Sequence, residues 1–454
     1  MLYIFSWLLW GLISAGILLF AATCIHERDM KALFKCVVFL LPLSALLAAV
    51  LIIDFPGKQY VAAAIMAIFL CAIIAFTFPG RKSSPLRVIG RQSRVDERDA
   101  FFHRFYRIRP GDDDFERYYA ENPEKRVVDE KIRALPNLGE PGSRTYNRMT
   151  TPFHASIFSV LDRLTSDVED FTMPEHLQRA GESRHLFTRR IKGFARYLGA
   201  DLVGTTKLNP EYVYSHIGRG QGRWGDKIEL DHSYAIAIAV KMDHDMIRHS
   251  PGLPGITETS RIYFESAKIA TILARYINML GYASRAHVDG NYRVMVVPVA
   301  ADAGLGELGR LGLLITPEYG PRVRLAVVTT DMPLEQDEQM CFGVQHFCSI
   351  CKKCAEHCPS NSISDAGKKT YAGVEKWQSA QDSCYKYWRL QGTDCSLCIK
   401  VCPYAYPETT LHNMIRWLVK RNGFARRMVL LGDRIFYNHR YAAKFPLPEW
   451  FDSV

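Results

Sequence analysis

FCSICKKCAEHCP, Phe347–Pro359, places four cysteines within eleven residues, and DCSLCIKVCP, Asp394–Pro403, repeats the pattern in shorter form. Thiolates are soft, charged ligands, so this spacing selects zinc or iron–sulfur clusters over hard cations. An x2 spacer also lets one short loop wrap three corners of a cubane. Nine of the chain's twelve cysteines fall between Cys341 and Cys402. Scattered core thiols would not bunch in this way, and in a reducing compartment such usage argues for metal rather than disulfides.

The full spacing, C-x2-C-x2-C-x3-C-P, resembles that of bacterial ferredoxins, where three thiolates hold one 4Fe–4S cluster and the fourth crosses to its neighbour. On that pattern Cys348, Cys351 and Cys354 form the first wrap and Cys402 completes it. Cys395 and Cys398 begin the second wrap, with Cys358 crossing over; Cys384 is the best candidate for the last corner and Cys341 the spare. Zinc also takes four cysteines, but the interleaved double motif favours two cubanes. Electrons are therefore delivered, and the rest of the chain should hold what receives them.

Upstream, short apolar runs alternate with helical patterns. ADLVGTTKL, SYAIAIAVKM, YRVMVVPVA, LLITPEY and VRLAVVTT read as strands. TSRIYFESAKIATILARYINMLGY has helical spacing, with Thr259 or Ser260 as its N-cap. Together they predict an α+β domain over 155–335, followed by a ferredoxin-like domain over 336–410 and a helical tail over 411–454. Residues 81–154, with RPGDDDFERYYAENPEKR, read as a basic linker and polar strap. GLGELG at 304–309 is a literal G-x-G-x-x-G, but no long helix follows and no acid stands at a strand end twenty positions on, so dinucleotide binding is not expected.

The first eighty residues differ sharply in character. Met1–Ile25, Cys36–Ile53 and Gln59–Gly80 carry no charged side chain, and each has roughly the ~20 residues that cross a hydrocarbon core. They predict a three-helix anchor over 1–80. Arg28, Lys31 and Lys35 crowd the first loop and Lys58 stands alone in the second, while Arg81, Lys82, Arg87, Arg91 and Arg94 follow the third run. The positive-inside rule then places the N-terminus outside and the large domain in the cytoplasm of a multi-pass inner-membrane protein. The net charge of +10 is compatible with nucleic acid, but much of it lies beside the third run and on the tail IRWLVKRNGFARRM. Anionic lipid headgroups account for it more economically, so no nucleic-acid partner is expected. The tail reads equally as a surface helix or as one lying against the bilayer.

AGLGELGRLGLLITPEYGPRVRLAVVTTDMPL, residues 303–334, followed by the two cysteine motifs, resembles the cobamide-dependent reductive dehalogenases and, more distantly, the epoxyqueuosine reductases. The likeness runs over roughly residues 155–440. It implies a nitroreductase-like domain that buries a base-off corrinoid (cobalamin), beside two 4Fe–4S clusters. Respiratory members carry a twin-arginine signal and use a separate anchor protein; three fused spans here resemble a membrane-integral branch. In the family a tyrosine opens the helix running into a GY, and counting back from LGY at 280–282 reaches Tyr263. The basic residue after the PEYG turn is Arg324, and the asparagine twelve residues before AGLG is Asn291. Corrinoid contacts are expected from Ala303, Gly304, Gly306, Gly309 and Thr316, where small residues permit close approach.

The resemblance implies that Co(I), fed by the clusters, attacks an organohalide while Tyr263 supplies the proton, so that hydrogen replaces halogen. A free tyrosine titrates near pH ~10, and a neighbouring guanidinium should bring it down towards a useful range. Halogenated aromatics are the expected substrates, and a ferredoxin, flavodoxin or membrane reductase the low-potential donor. Two rivals stand: an epoxyqueuosine-type reductase, for which Asp289 is present but in a broken register, and a membrane-bound electron-transfer protein without catalysis. The large domain before the cysteines argues against the latter.

Overall fold

A computed structural model describes residues 2–80, 87–89, 92–166, 168 and 178–451; the basic residues Arg81, Lys82 and Arg91 lie outside these. The chain divides into two compact units, Met1–Ser83 with Tyr406–Phe445, and Ser84–Ala405 with Pro446–Val454.

In the smaller unit three helices, Tyr3–His26, Met30–Ile52 and Lys58–Thr77, are long and apolar enough to cross a membrane. The tail forms two further helices, Thr410–Arg421 and Gly423–Tyr437. Buried charges join tail to anchor. Glu27, in the first loop, takes His412 Nε2 at 2.5 Å and pairs with Arg440, while Asp29 takes His439 Nε2 at 2.8 Å. Asn422 Nδ2 donates to the carbonyls of Ala75 at 2.9 Å and Phe78 at 2.7 Å, where the third helix ends. The first loop and the exit of the third helix therefore both meet the tail helices.

The larger unit is built on a four-stranded antiparallel sheet. Its strands are β1 (Leu202–Lys207), β2 (Tyr234–Lys241), β3 (Ser284–His287) and β4 (Val323–Thr330), in the spatial order β1-β2-β4-β3. Register places Val240 opposite Arg324 and Ala286 opposite Val328. Strand β2 alternates alanine and isoleucine, YAIAIAVK, and both sets are buried. Its alanines face Val299, Ala300 and Ala303, a close approach at which a Cβ on Gly204 of β1 would collide with the Ala303 carbonyl. With period-two alternation the isoleucines take the other face, which the long helix Leu253–Met279 covers.

Three local expectations change. YRVMVVPVA is no strand: Val296–Asp302 is a helix beneath the sheet. A short apolar run buried all round carries no period that separates the two states. The long helix starts at Leu253, with Gly252 as N-cap and Pro254 in its first turn, so Thr259 lies inside it. Proline suits that first turn because its missing N–H is unpaired there in any case. The polar strap also holds helices, Phe101–Arg107, Asp113–Glu121 and Pro123–Arg133. Their aromatic residues supply the apolar face: Phe115, Tyr118 and Tyr119 bury themselves against Ile108 and Trp224.

Candidate active site

The cysteine loops fold as two thiol groups. Cys348, Cys351, Cys354 and Cys402 stand close enough to oppose one another's ionisation, and so do Cys358, Cys384, Cys395 and Cys398. Cys398 also acts on Cys354 and Cys402, so the groups adjoin. Burial, reinforced by neighbouring thiols, pushes Cys384 and Cys398 up to about 12. Such crowding in a low dielectric is tolerable as thiolate only when cations sit between the sulfurs, which is what an iron cubane provides. Cys341 is exposed, and Glu307 is the charge that bears on it; no other thiol does. Left-handed backbone at Lys352, Cys395 and Ser396 reverses the chain inside the short spacers.

Each loop is braced from the large domain. For the first, Glu307 Oε1 accepts the amides of Phe342 (2.6 Å), Gly343 (2.9 Å) and Val344 (3.2 Å), which open the helix Val344–Cys351. Arg310 Nε donates to the Cys348 carbonyl at 3.1 Å, and its guanidinium lies over Trp377. Both braces belong to the segment expected to touch a corrinoid. The side-chain positions of that segment are occupied by the chain itself. Ala303, Gly304, Gly306, Gly309 and Thr316 are buried against the chain itself. A Cβ on Gly304 would meet the Glu338 carbonyl at 2.5 Å, one on Gly306 the Ile315 carbonyl, and one on Gly309 the Ile315 side chain. Thr316 Oγ1 is taken by Gly320 and Tyr319 in a turn. Gly306 and Gly309 thus make room for the hairpin Glu307–Leu308 with Leu314–Ile315, while Gly304 makes room for the Glu338 carbonyl.

The second loop leads to Tyr263. Asp394, next to Cys395, accepts from Thr259 Oγ1 at 2.6 Å and lies 3.4 Å from Arg324 Nη2. That same Nη2 donates to Thr259 Oγ1 at 3.0 Å, and the guanidinium carbon stands 5.2 Å from the centre of the Tyr263 ring. Thr259 and Tyr263 lie one turn apart on the long helix, and Arg324 reaches both from β4.

The surroundings form an inner wall. Arg219 and Asp289, 3.6 Å apart, keep 20% and 26% of their side-chain surface accessible, yet protein encloses both enough for burial to be the leading influence on each. Tyr263 and Tyr214 are likewise half-buried, with burial the leading influence on each phenol. Arg219 also lies over Tyr292, 4.5 Å from the ring centre. Burial raises the Tyr263 phenol above its ordinary range; Arg324 pulls it down without winning. The guanidinium therefore limits the cost of ionising Tyr263 rather than making it unusually acidic. Burial likewise raises Asp289 against Arg219 and Arg324.

Asn291 does not join this wall. It is 1% exposed, takes Arg285 Nη2 at 2.8 Å, and donates to the Thr165 carbonyl at 3.1 Å. Sequence reasoning missed Thr259, Asp394 and Arg219 and set Asp289 aside. The one available signal is that Asp394 directly precedes Cys395, a cysteine of the second motif.

Residues 347–406 match a 4Fe-4S dicluster domain model. The chain is 31% identical over 301 residues to the tetrachloroethene reductive dehalogenase of Sulfurospirillum multivorans, covering 59% of each. With that of Dehalobacter restrictus it is 33% identical over 319 residues, 60% of this chain and 54% of the relative. The chain thus spans little more than half the length of these relatives. The solved structure of the catabolic reductive dehalogenase NpRdhA superposes with a TM-score of 0.62 at 25% identity, over 78% of this chain and 48% of that one. With the two four-thiol sets and the tyrosine beside Arg324, the chain is similar to reductive dehalogenases over the part of their length that it spans, and one solved structure among them is described as B12-dependent.

Proposed function

We propose that the chain is a membrane-anchored reductive dehalogenase that replaces halogen by hydrogen on an organohalide, with halogenated aromatics as its substrate class. The observation that carries this is the run Asp394–Thr259–Arg324–Tyr263, which ties a phenol in an enclosed recess to the second cysteine loop. A simple electron relay has no use for such a phenol. In this reading Cys348, Cys351, Cys354 and Cys402 hold one 4Fe–4S cluster, and Cys358, Cys384, Cys395 and Cys398 the other.

The recess suits a corrinoid: Arg324 Nε is buried there without an acceptor, a donor open to a ligand rimmed with amides. When bound, the corrinoid supplies the low-potential attack that splits the carbon–halogen bond. The balance is two electrons and one proton per bond, with halide released. Tyr263 delivers the proton from its hydroxyl, and Arg324 stabilises the phenolate left behind. The Arg219–Asp289 pair and Tyr292 orient the substrate, and the aromatic wall keeps water out. Asn291 acts at one remove, fixing Arg285 and the Thr165 turn.

The anchor is placed in the inner membrane with the larger unit in the cytoplasm. The tail's cations and Arg28, Lys31 and Lys35 share one side, against Lys58 on the other, and that balance supports the orientation. A ferredoxin, flavodoxin or membrane reductase would supply electrons. Asp289 in the recess favours a second reading, an epoxyqueuosine-type reduction in which that acid gives the proton.

Halide release by anaerobic, cobalamin-loaded protein, driven by a low-potential reductant on bromophenols, tests both. Release that collapses in Tyr263→Phe supports the proposal. Release lost in Asp289→Asn but kept in Tyr263→Phe moves proton delivery to Asp289. No release, despite bound cobalt and reducible clusters, overturns dehalogenation.

A further inference from the structure

The smaller unit carries a second surface that this reaction does not use. The tail helices Thr410–Arg421 and Gly423–Tyr437 turn much of their polarity inward. Arg416, Arg426 and Asp433 are buried there beside Leu411, Val419 and Leu430. Outward they present Met414, Trp417, Phe424, Met428, Leu431 and Ile435, of which Trp417 is 44% and Leu431 51% exposed. Spacings of three and four set Met414 and Trp417 on one face of the first helix, and Phe424, Met428, Leu431 and Ile435 on one face of the second. Large apolar side chains exposed together on each helix mark an interaction surface.

Its charge says what kind of surface. From Thr409 to Phe445 there are eight lysines and arginines and one acid, Asp433, which is buried against Tyr406. Lys420, Arg427 and Arg434 are exposed and interleave with these apolar side chains, and Arg421 lies over the Trp417 ring at 4.0 Å. Height is set by the apolar helices. Phe424 packs on Phe76 at 5.2 Å and Phe436 on Phe20 at 4.9 Å, near the ends of the third and first helices. Lys35 Nζ, at the head of the second, donates to the Ile435 carbonyl at 2.6 Å. The two apolar faces are thereby continuous with surface that already faces lipid, at the level where acyl chains give way to headgroups.

We propose that the two tail helices lie in the membrane interface, with the apolar side chains from Met414 to Ile435 against acyl chains and Lys420, Arg427 and Arg434 on anionic phospholipid headgroups. This rests on reading the three apolar helices as spans. A protein partner would need acidic side chains set among apolar ones to match the same face. A lipid leaflet supplies both features at once, and an indole beside a cation is the usual occupant of that depth.

The test uses the holoprotein in vesicles of phosphatidylcholine with phosphatidylglycerol. Subtracting the fluorescence of Trp417→Phe from that of the wild type isolates Trp417. The expected result is loss of the Trp417 signal to phospholipids brominated near the headgroup end of the acyl chain, with protection from aqueous acrylamide. Lys420→Gln with Arg427→Gln and Arg434→Gln should also lose the preference for co-purified phosphatidylglycerol over phosphatidylcholine. A Trp417 signal quenched by acrylamide and not by brominated lipid overturns the proposal, and so does one shielded from both, which would mean that protein covers it. Trp7 and Trp10, in the first apolar helix, provide the control. If the signal lost in Trp7→Phe with Trp10→Phe is lipid-quenched while Trp417 is not, only the tail proposal falls; if neither is quenched, the spans themselves were misread.

Discussion

The two cysteine loops hold the same kind of ligand but are braced by different kinds of neighbour. The first hangs on Glu307 and Arg310, which spend their polar atoms on backbone amides and carbonyls of the loop. Those residues sit in a packed hairpin and meet no titratable group of the recess. The second hangs on Asp394, whose partners are side chains, Thr259 and Arg324, and Arg324 in turn stands over Tyr263. Backbone bracing fixes where a loop is. Side-chain bracing also lets the position of the loop set the electrostatics around the Tyr263 phenol. Damage to the first brace should therefore be read in iron, and damage to the second in proton transfer with iron intact.

The largest expected effect tests whether the second set is complete as assigned. Cys384→Ser should lower iron by about half, as losing one of two cubanes requires, and should abolish halide release. Cys341→Ser should leave both unchanged, because that thiol is exposed and stands apart from the others. The reverse pattern would exchange the two residues and leave the brace without a cluster to carry.

Next comes Tyr263→Phe, which removes one oxygen and no packing volume to speak of. A positioned general acid contributes about 10²–10⁴-fold, so halide release should fall by that order with iron and cobalamin contents unchanged. The pH dependence has a definite sign. Burial raises the phenol, so it stays protonated beyond the ordinary tyrosine range and contributes no alkaline limb below about pH 10. Arg324→Gln removes the opposing charge and should move that limb higher still. A limb that moves down on losing Arg324 would remove Arg324 as the tuning group.

Glu307→Gln probes the other brace. It keeps an acceptor for three amides but removes the charge that strengthens them, a loss of roughly 1–2 kcal/mol. Thermal release of iron should begin at lower temperature, while the rate per bound cluster pair stays at the wild-type value. A changed rate with unchanged iron would erase the distinction between the two braces.

What the sequence disclosed follows the same division. Cysteine spacing is local, and x2 loops leave few alternatives, so the thiol groups were legible, with Cys384 held against Cys341. Strands β1, β2 and β4 announced themselves by β-branched runs, whereas β3, SRAH, is short and polar enough to pass for loop. AGLGELG was legible as special but not as to purpose. Glycine reports that something approaches closely, and here the neighbours are the Glu338 carbonyl at Gly304, the Ile315 carbonyl at Gly306 and the Ile315 side chain at Gly309. Thr259 and Asp394 lie 135 positions apart, and no periodicity links them. Tyr263 and Arg324 were placed by resemblance, and only folding shows that burial outweighs the guanidinium.

The smallest effect is the most discriminating. Thr259 is 3% exposed, and its hydroxyl donates to Asp394 while accepting from Arg324. Thr259→Val keeps the shape and deletes the bridge. Arg324 and Asp394, already 3.4 Å apart, are then free to close on each other, and each step towards the carboxylate takes the guanidinium away from the Tyr263 ring. Tyr263 becomes harder to ionise, so proton delivery slows. One neutral hydrogen bond is worth about 1 kcal/mol net, which corresponds to a roughly fivefold slower halide release. The solvent deuterium isotope effect should rise, because proton transfer now limits the rate more than before, and iron content should not change. Glu307→Gln, costing as much or more in stability, should leave that isotope effect where it was. If Thr259→Val instead sheds iron, Asp394 braces the loop in the same passive way as Glu307. If the isotope effect stays flat in both variants, the phenol is not tied to the second loop, and the two braces differ in chemistry but not in consequence.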